Sequence, residues 1–338
     1  MKTFGTGDYL ISSDYLILLS ELAFEHGLSS AGLLKGSGLP EELLFQPGVL
    51  VGHESALAVV EHFCDLTGND MTIALEYGKR MTLSKHGALG YAAQYSATMS
   101  DAAEKVMRYV ETRAQIFNTT RGSSEHERHL YIEPRFESKI AAEFLSLAFL
   151  ASIETICRTL VGAPGREAES RIMTSISQDL SQQTILPHCK VVNATSENSL
   201  SWPASALIHP LPFFDPQLEG LAEQQLETAL TSLAQQRSLS QKVRQLLQQQ
   251  LTDAPTVDDI AQTLCMSAAT LNRKLKAEGS SFRQLKDEVR YSLARSLLQQ
   301  QLAVEVIAEQ LGFSDASNFT KAFKAWSGVS PSQFRQQQ

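Results

Sequence analysis

Apolar residues return every three or four positions over 14 to 26 (DYLILLSELAFEH, closed by Gly27), 54 to 66, 99 to 116 and 137 to 162, which predicts four helices. Ser100 and Asp101 carry short oxygen side chains suited to the start of the third. Stretches at 128 to 134 (RHLYIEP), 170 to 177 and 190 to 201 pattern as strands. The mixture predicts an α+β domain over 1 to 232. The Gln-rich segment that follows is read as a linker at 233 to 238, then a helix with Val243, Leu246, Leu247 and Leu251 on one side. Asp253-Ala254-Pro255 should close that helix and fix an extended approach to the next.

From 256 onward the pattern changes to short helices in pairs. In TVDDIAQTLCMSAATLNRKLKAEG, Val257, Ile260, Ala261 and Leu264 form one apolar stripe, Cys265-Met266-Ser267 a tight turn, and Leu271 and Leu275 the inner side of a second helix. In VEVIAEQLGFSDASNFTKAFKAWSG, Val306, Ile307 and Leu311 play the first part, Gly312-Phe313-Ser314 the turn, and Phe319, Ala322 and Phe323 the second inner side. Between them, Phe282, Leu285, Val289, Leu293, Leu297 and Leu298 predict a joining helix of about 18 residues and ~27 Å. Trp326 and Phe334 should seal the second core. Residues 239 to 338 are therefore expected to be all-α, with two helix-turn-helix units at 256 to 276 and 304 to 325.

The outward faces suggest the chemistry. Ala269, Thr270, Asn272, Arg273 and Lys276 on the first unit, and Ala316, Ser317, Thr320, Lys321 and Lys324 on the second, face outward, where a helix can enter a major groove. There Asn suits adenine and Arg suits guanine. Thr270, Lys276, Thr320 and Lys324 are candidates for phosphate contacts. Ala268, Ala269, Ala316 and Ser317 are small, so direct readout should rest on Asn272, Arg273 and Lys321, with DNA shape supplying the rest. A joining helix of that length can set two readers about one DNA turn apart, ~34 Å.

The net charge of −8 divides unevenly: residues 236 to 338 hold 13 Lys and Arg against 9 Asp and Glu, a balance of +4, leaving −12 for 1 to 235. A basic module on an acidic body suits a domain that must stay off the phosphates. No uninterrupted apolar run reaches the ~18 residues of a membrane span, and the start, MKTFGTGDYLISSDY, lacks a signal-peptide core. A cytoplasmic location with no membrane partner is expected. Cys64, Cys157, Cys189 and Cys265 are scattered, which points to reduced thiols rather than disulfides or a structural zinc site.

The motifs IAxxL, SxxxLNRKLK, GxSFxxLxxxxRxxxAxxLL and IAxxLGFSDxSNFxxAFKxWxGxSPxxFR, as they stand here over about 100 residues, resemble the DNA-binding domain of the arabinose-regulator (AraC/XylS) family of bacterial transcription factors. The resemblance implies two helix-turn-helix subdomains in adjacent major-groove segments, with base reading at Ala269, Asn272 and Arg273 and at Ala316, Ser317 and Lys321. GALGYAAQYSATMSDAAEKVMRYVETR (87 to 113) and SENSLSWPASALIHPLPFFDPQL (196 to 218) resemble the helix-containing sensor domain of the branch that regulates ornithine use and quorum sensing. That domain carries an arabinose-binding label in places, yet an all-β sugar barrel is not expected here. The implied protein is a sequence-specific regulator, an activator acting on double-stranded promoter DNA with RNA polymerase as a homodimer. A small-molecule effector or dimerisation through the first domain would control it. The alternative is a ligand-independent repressor or architectural binder.

Enzyme chemistry finds little support. No GxSxG, HExxH, GxxxxGK[ST] or GxGxxG motif is present. Pro187-His188-Cys189-Lys190 reverses the Cys-His order of the alkyltransferase nucleophile motif, which moves the thiol off the activated position. His126 and His129 fall in an expected turn and strand start, and neither cofactor nor metal is expected. Phe144, Phe149, Tyr91, Tyr95 and Tyr109 are open to two roles, core or effector pocket.

Overall fold

The computed structural model describes residues 3–4, 9–236, 238–251, 255–299 and 302–336. Its chain divides into two compact units, Met1–Ser232 and Leu233–Gln338.

In the first unit β1 (Thr3–Phe4), β2 (Leu10–Ser12) and β3 (Leu50–Gly52) form a small sheet with β3 central. Helices α1 (Ser13–Glu25), α2 (Ser30–Leu34), α3 (His53–Leu66), α4 (Thr72–Arg80), α5 (Ala88–Gln94) and α6 (Met99–Tyr109) follow. The strands β4 (Phe117–Ser123) and β5 (Glu127–Pro134) make a hairpin, and α7 (Lys139–Leu160) runs on into the short α8 (Gly162–Gly165). Then come β6 (Ser170–Met173), β7 (Cys189–Val192), β8 (Asn198–Pro203) and α9 (Pro216–Gln236). The larger sheet has the order β4-β5-β8-β6-β7, antiparallel except for the β6–β7 pair. This is the expected α+β mixture.

The organising element is α7. By length and mean hydropathy it could cross a membrane, a correction to the expectation drawn from uninterrupted runs alone. Here its apolar sides are consumed by packing: Phe144, Leu147, Ala148, Leu150 and Ala151 are buried. Phe144 meets the rings of Phe63 on α3 and Tyr77 on α4. At Gly78 the helices α4 and α7 touch so closely that an added Cβ would lie 2.3 Å from the Ala148 carbonyl oxygen, so only glycine fits. Tyr109 is likewise core, whereas Tyr91 is 46% exposed and stacks on Tyr95.

Four boundaries differ from the sequence reading. Helix α6 stops at Tyr109 and a 3-10 turn ends at Thr112, instead of continuing to 116. The backbone at 113 to 115 is claimed by the small sheet, with Ser12 N donating to Arg113 O and Gln115 N to Leu10 O. Its cap is Thr98, in a reciprocal capping box with Asp101, two residues before the expected Ser100. The strand expected over 190 to 201 is two, β7 and β8, parted by a turn in which Ala194 has φ +53°. The strand expected over 170 to 177 ends at Met173.

The described elements of the second unit from Leu239 on are all helices: α10 (Leu239–Gln250), α11 (Val257–Thr263), α12 (Ala268–Ala277), α13 (Phe282–Gln299), α14 (Val304–Gln310), α15 (Ala316–Ser327) and α16 (Pro331–Gln336). The linker expected at 233 to 238 is mostly helix, since α9 continues to Gln236 and Ser238 caps α10. Arg237, Asp253, Ala254 and Gln300 lie outside the described residues. The joining helix α13 has the expected 18 residues. Its register is corrected at one position: Leu293 is 36% exposed and Ala294 is the buried residue. On α14, similarly, Val306 faces out and Ala308 lies in the core with Ile307.

Candidate nucleic-acid interface

Both helix pairs turn by the same device. At the end of α11, Met266 N donates to Ala261 O and Cys265 N to Gln262 O; at the end of α14, Phe313 N donates to Ala308 O and Gly312 N to Glu309 O. This closes the free carbonyls of a helix end and needs one residue in the left-handed region. Gly312 supplies it at φ +66°, and Cys265 supplies it at φ +55° with a side chain attached.

The second helix of each pair then starts from an oxygen cap. Ser267 Oγ accepts from Thr270 N at 3.2 Å, and Asp315 Oδ1 accepts from Asn318 N at 2.7 Å. Leu271 and Leu275 on α12, and Phe319 and Phe323 on α15, are fully buried. On α15 the inner side is completed by Phe334 against Phe323 and by Trp326 against Phe313 and Tyr291, and Ala322 is half-buried. Burial of these residues orients everything else on the two helices.

Ala269, Asn272, Arg273 and Lys276 are exposed on α12, as are Ser317, Lys321 and Lys324 on α15; Ala316 is half-buried. Thr270 and Thr320 are half-buried and their hydroxyls are engaged, Thr270 with Ser267 Oγ at 2.9 Å and Thr320 donating to Ala316 O at 2.8 Å. Sequence reasoning passed over Lys274 and Asn318, which are also exposed. Lys274 could have been found by its charge alone, whereas the Asn318 amide is held by Ser314 Oγ and Asp315 Oδ2. Among the described residues, Arg273, Lys274, Lys276, Lys321 and Lys324 form no ion pair.

Other cations of this unit are structural. Arg290 on α13 reaches under the second turn, donating from Nε to Leu311 O at 3.0 Å and from Nη2 to Gly312 O at 2.9 Å, with its guanidinium 4.4 Å from the Phe313 ring centre. Lys286 donates to Pro255 O at 2.6 Å, and Arg335 to Leu302 O. Glu278, the C-cap of α12, accepts from Leu239 N at 3.0 Å and from Ser240 N and Oγ at 2.8 and 2.6 Å. Those bonds outweigh partial burial and hold its carboxyl below the usual range.

Two helix-turn-helix pairs with unpaired basic outward faces, joined by one helix in a chain that also carries an α+β domain, define a DNA-binding transcription regulator. Residues 27–211 match the model described as the arabinose-binding domain of AraC transcription regulators, N-terminal, and residues 260–337 match a helix-turn-helix domain. The chain belongs to the AraC family, with a ligand-binding N-terminal domain. It is 27% identical over 333 residues to the ornithine utilization regulator of Pseudomonas aeruginosa, covering 97% of this chain and 96% of that protein. It is 30% identical over 176 residues to the transcriptional activator NphR of a Rhodococcus species, covering 52% of each. The solved structure of the transcriptional regulator CdpR from Pseudomonas aeruginosa aligns with 96% of this chain and 98% of its own, at 20% identity and TM-score 0.47.

The alternative chemistry at His188-Cys189 has no support in the local physics. Cys189 is buried and burial pushes its thiol up to about 12, so the thiolate a nucleophile needs is suppressed. Burial does the same to Cys64 and Cys157. No cluster suited to a metal ion is found among the described residues.

Proposed function

We propose that the chain reads promoter DNA with α12 and α15 in adjacent major-groove segments and switches transcription on in response to a signal received by the first unit. Base edges are met by Asn272 and Arg273 on α12 and by Lys321 on α15. Ala269, Ala316 and Ser317 permit close approach with little readout of their own. Lys276 and Lys324 face phosphates, and Thr270 and Thr320 join them by turning their hydroxyls away from Ser267 and Ala316. The reading is carried by one observation: the exposed cations of the two reader helices are unpaired while Arg290, Lys286 and Arg335 in the same unit are committed to backbone carbonyls.

Activation is inferred from NphR, which is described as an activator. We further assign the chain a cytoplasmic location, a homodimeric state and RNA polymerase as partner. The small reading residues leave DNA shape a large share of the specificity.

DNA selected from a random-sequence pool tests the assignment in gel shifts. Arg273→Ala should weaken specific binding by about 1–3 kcal/mol and relax preference at one base pair. Lys276→Ala should weaken all sequences alike and lower the slope of log affinity against log salt by about one. Unchanged preference for the first variant, or an unchanged salt slope for the second, would remove that residue from the interface.

A further inference from the structure

The first unit contains two adjoining apolar cavities, of about 80 Å³ and about 150 Å³. Both are lined by Ala93, Val106, Val110, Phe149, Ile153 and Ile156, so the two compartments lie side by side against α6 and α7. Of the five aromatic residues considered for a pocket, Phe149 alone is in this lining.

The compartments differ in their polar groups. In the smaller, the polar side chains satisfy one another: Tyr15 Oη and His86 Nδ1 are 2.9 Å apart, His86 Nε2 and Ser152 Oγ 3.3 Å, and Tyr77 Oη donates to Tyr15 O at 2.6 Å. Nothing there asks for a polar ligand. The larger compartment borders the sheet edge, where the register sets Arg121 opposite Leu130 and Arg128 opposite Trp202, all four lining the cavity. Arg121 and Arg128 are exposed, and Arg128 donates to the Ser124 and Glu127 carbonyls. Arg121 has no ion pair or hydrogen bond among the described residues. Trp202 is 2% exposed, and its Nε1 finds no hydrogen-bond partner among them.

We infer that this space binds a slender apolar molecule ending in one carboxylate, a medium-chain acyl acid. Its chain lies between α6 and α7, and its carboxylate sits at Arg121 and Arg128 within reach of the Trp202 indole. An apolar cavity of roughly 150 Å³ accommodates a six-carbon ring, and the second compartment gives room for further methylenes. A sugar does not fit this lining, because each buried hydroxyl requires a partner the walls do not offer. The head stays where a charge keeps its water and gains a guanidinium, and the tail leaves water. This assignment rests on the reading of the first unit as the ligand-binding domain and names its ligand class.

Sodium octanoate, 1-octanol and octylamine are titrated calorimetrically into the full chain, with the emission of Trp202 and Trp326, its two tryptophans, followed in parallel. Octanoate should bind one per chain, at least tenfold tighter than octanol or octylamine, and shift the emission. Hexanoate should be weaker by about fourfold per methylene removed. Arg121→Ala, at an exposed position that leaves the core intact, should weaken octanoate at least tenfold and leave octanol unchanged. No binding, equal binding of the three headgroups, or octanoate affinity indifferent to Arg121 overturns the inference. Gel shifts on the same samples separate the two readings: specific DNA binding without octanoate binding defeats the ligand assignment alone. Octanoate binding as described, with DNA affinity unmoved, leaves the site standing and defeats control by this ligand.

Discussion

His86 shows how one buried side chain ties stability to pH. Burial among apolar groups, aided by the nearby Arg113 guanidinium, holds its pKa at about 4. In the unfolded chain the ring titrates near 6.5. Between those values the unfolded chain takes up a proton that the folded chain refuses. Stability from this residue is therefore complete above pH 6.5 and falls as pH drops toward 4, by about 3 kcal/mol. His86→Gln should shrink the loss in first-unit stability between pH 7 and pH 4, as read by urea unfolding at each pH. A loss as large as in the unsubstituted protein would show that other groups carry it. At this scale the sequence was a partial guide. Small residues and cations could be placed on faces by periodicity, and Leu271, Leu275, Phe319 and Phe323 are inside as expected. Periodicity could not tell Leu293 from Ala294, because neighbouring helical positions differ by only 100° and the partner surface decides which is covered. Nor could it separate Arg290, which supports a turn, from Arg273, which supports nothing within the fold.

Among elements, the turn between α14 and α15 depends on α13. Arg290 holds two carbonyls with a planar fork and stacks on Phe313, geometry that an ammonium group does not reproduce. Arg290→Lys should destabilise the second unit by roughly 1–3 kcal/mol and weaken DNA binding through a displaced α15, with thermal unfolding and gel shifts as the readouts. Unfolding at the same temperature would mean that the turn holds itself. Helices with strong stripes were legible in the sequence, including the 18-residue α13. Elements decided by distant pairing were not. The end of α6 is set by hydrogen bonds to β2, and the division of β7 from β8 follows from β8 inserting between β5 and β6. Such contacts join residues from about 26 to about 105 positions apart, beyond any local pattern.

For the whole molecule, the second unit has its own core from Val243 to Phe323, lined along α10 to α15. A fragment of residues 233 to 338 should unfold cooperatively and prefer the same selected DNA as the full chain. Its affinity should be at least tenfold lower, because a second reader pair tethered through the first unit is lost. Equal affinity would favour the ligand-independent reading of the protein. The two helix pairs were largely legible because their logic is local: a cap, a stripe, a turn and an outward face within some twenty residues. The ligand cavity was not, because its walls come from α6, α7 and three strands brought together by the fold, and Trp202 and Arg121 carry no motif.

Glu278 gives the start of the second unit a latch. Its carboxylate grips the first two residues of α10, so the chain arriving at the second unit is fastened to the trailing end of α12. The start of α10 is thus clasped to α12 at the surface by one exposed side chain, in addition to the packed interior that holds both helices. In that sense the domain is latched at its point of entry.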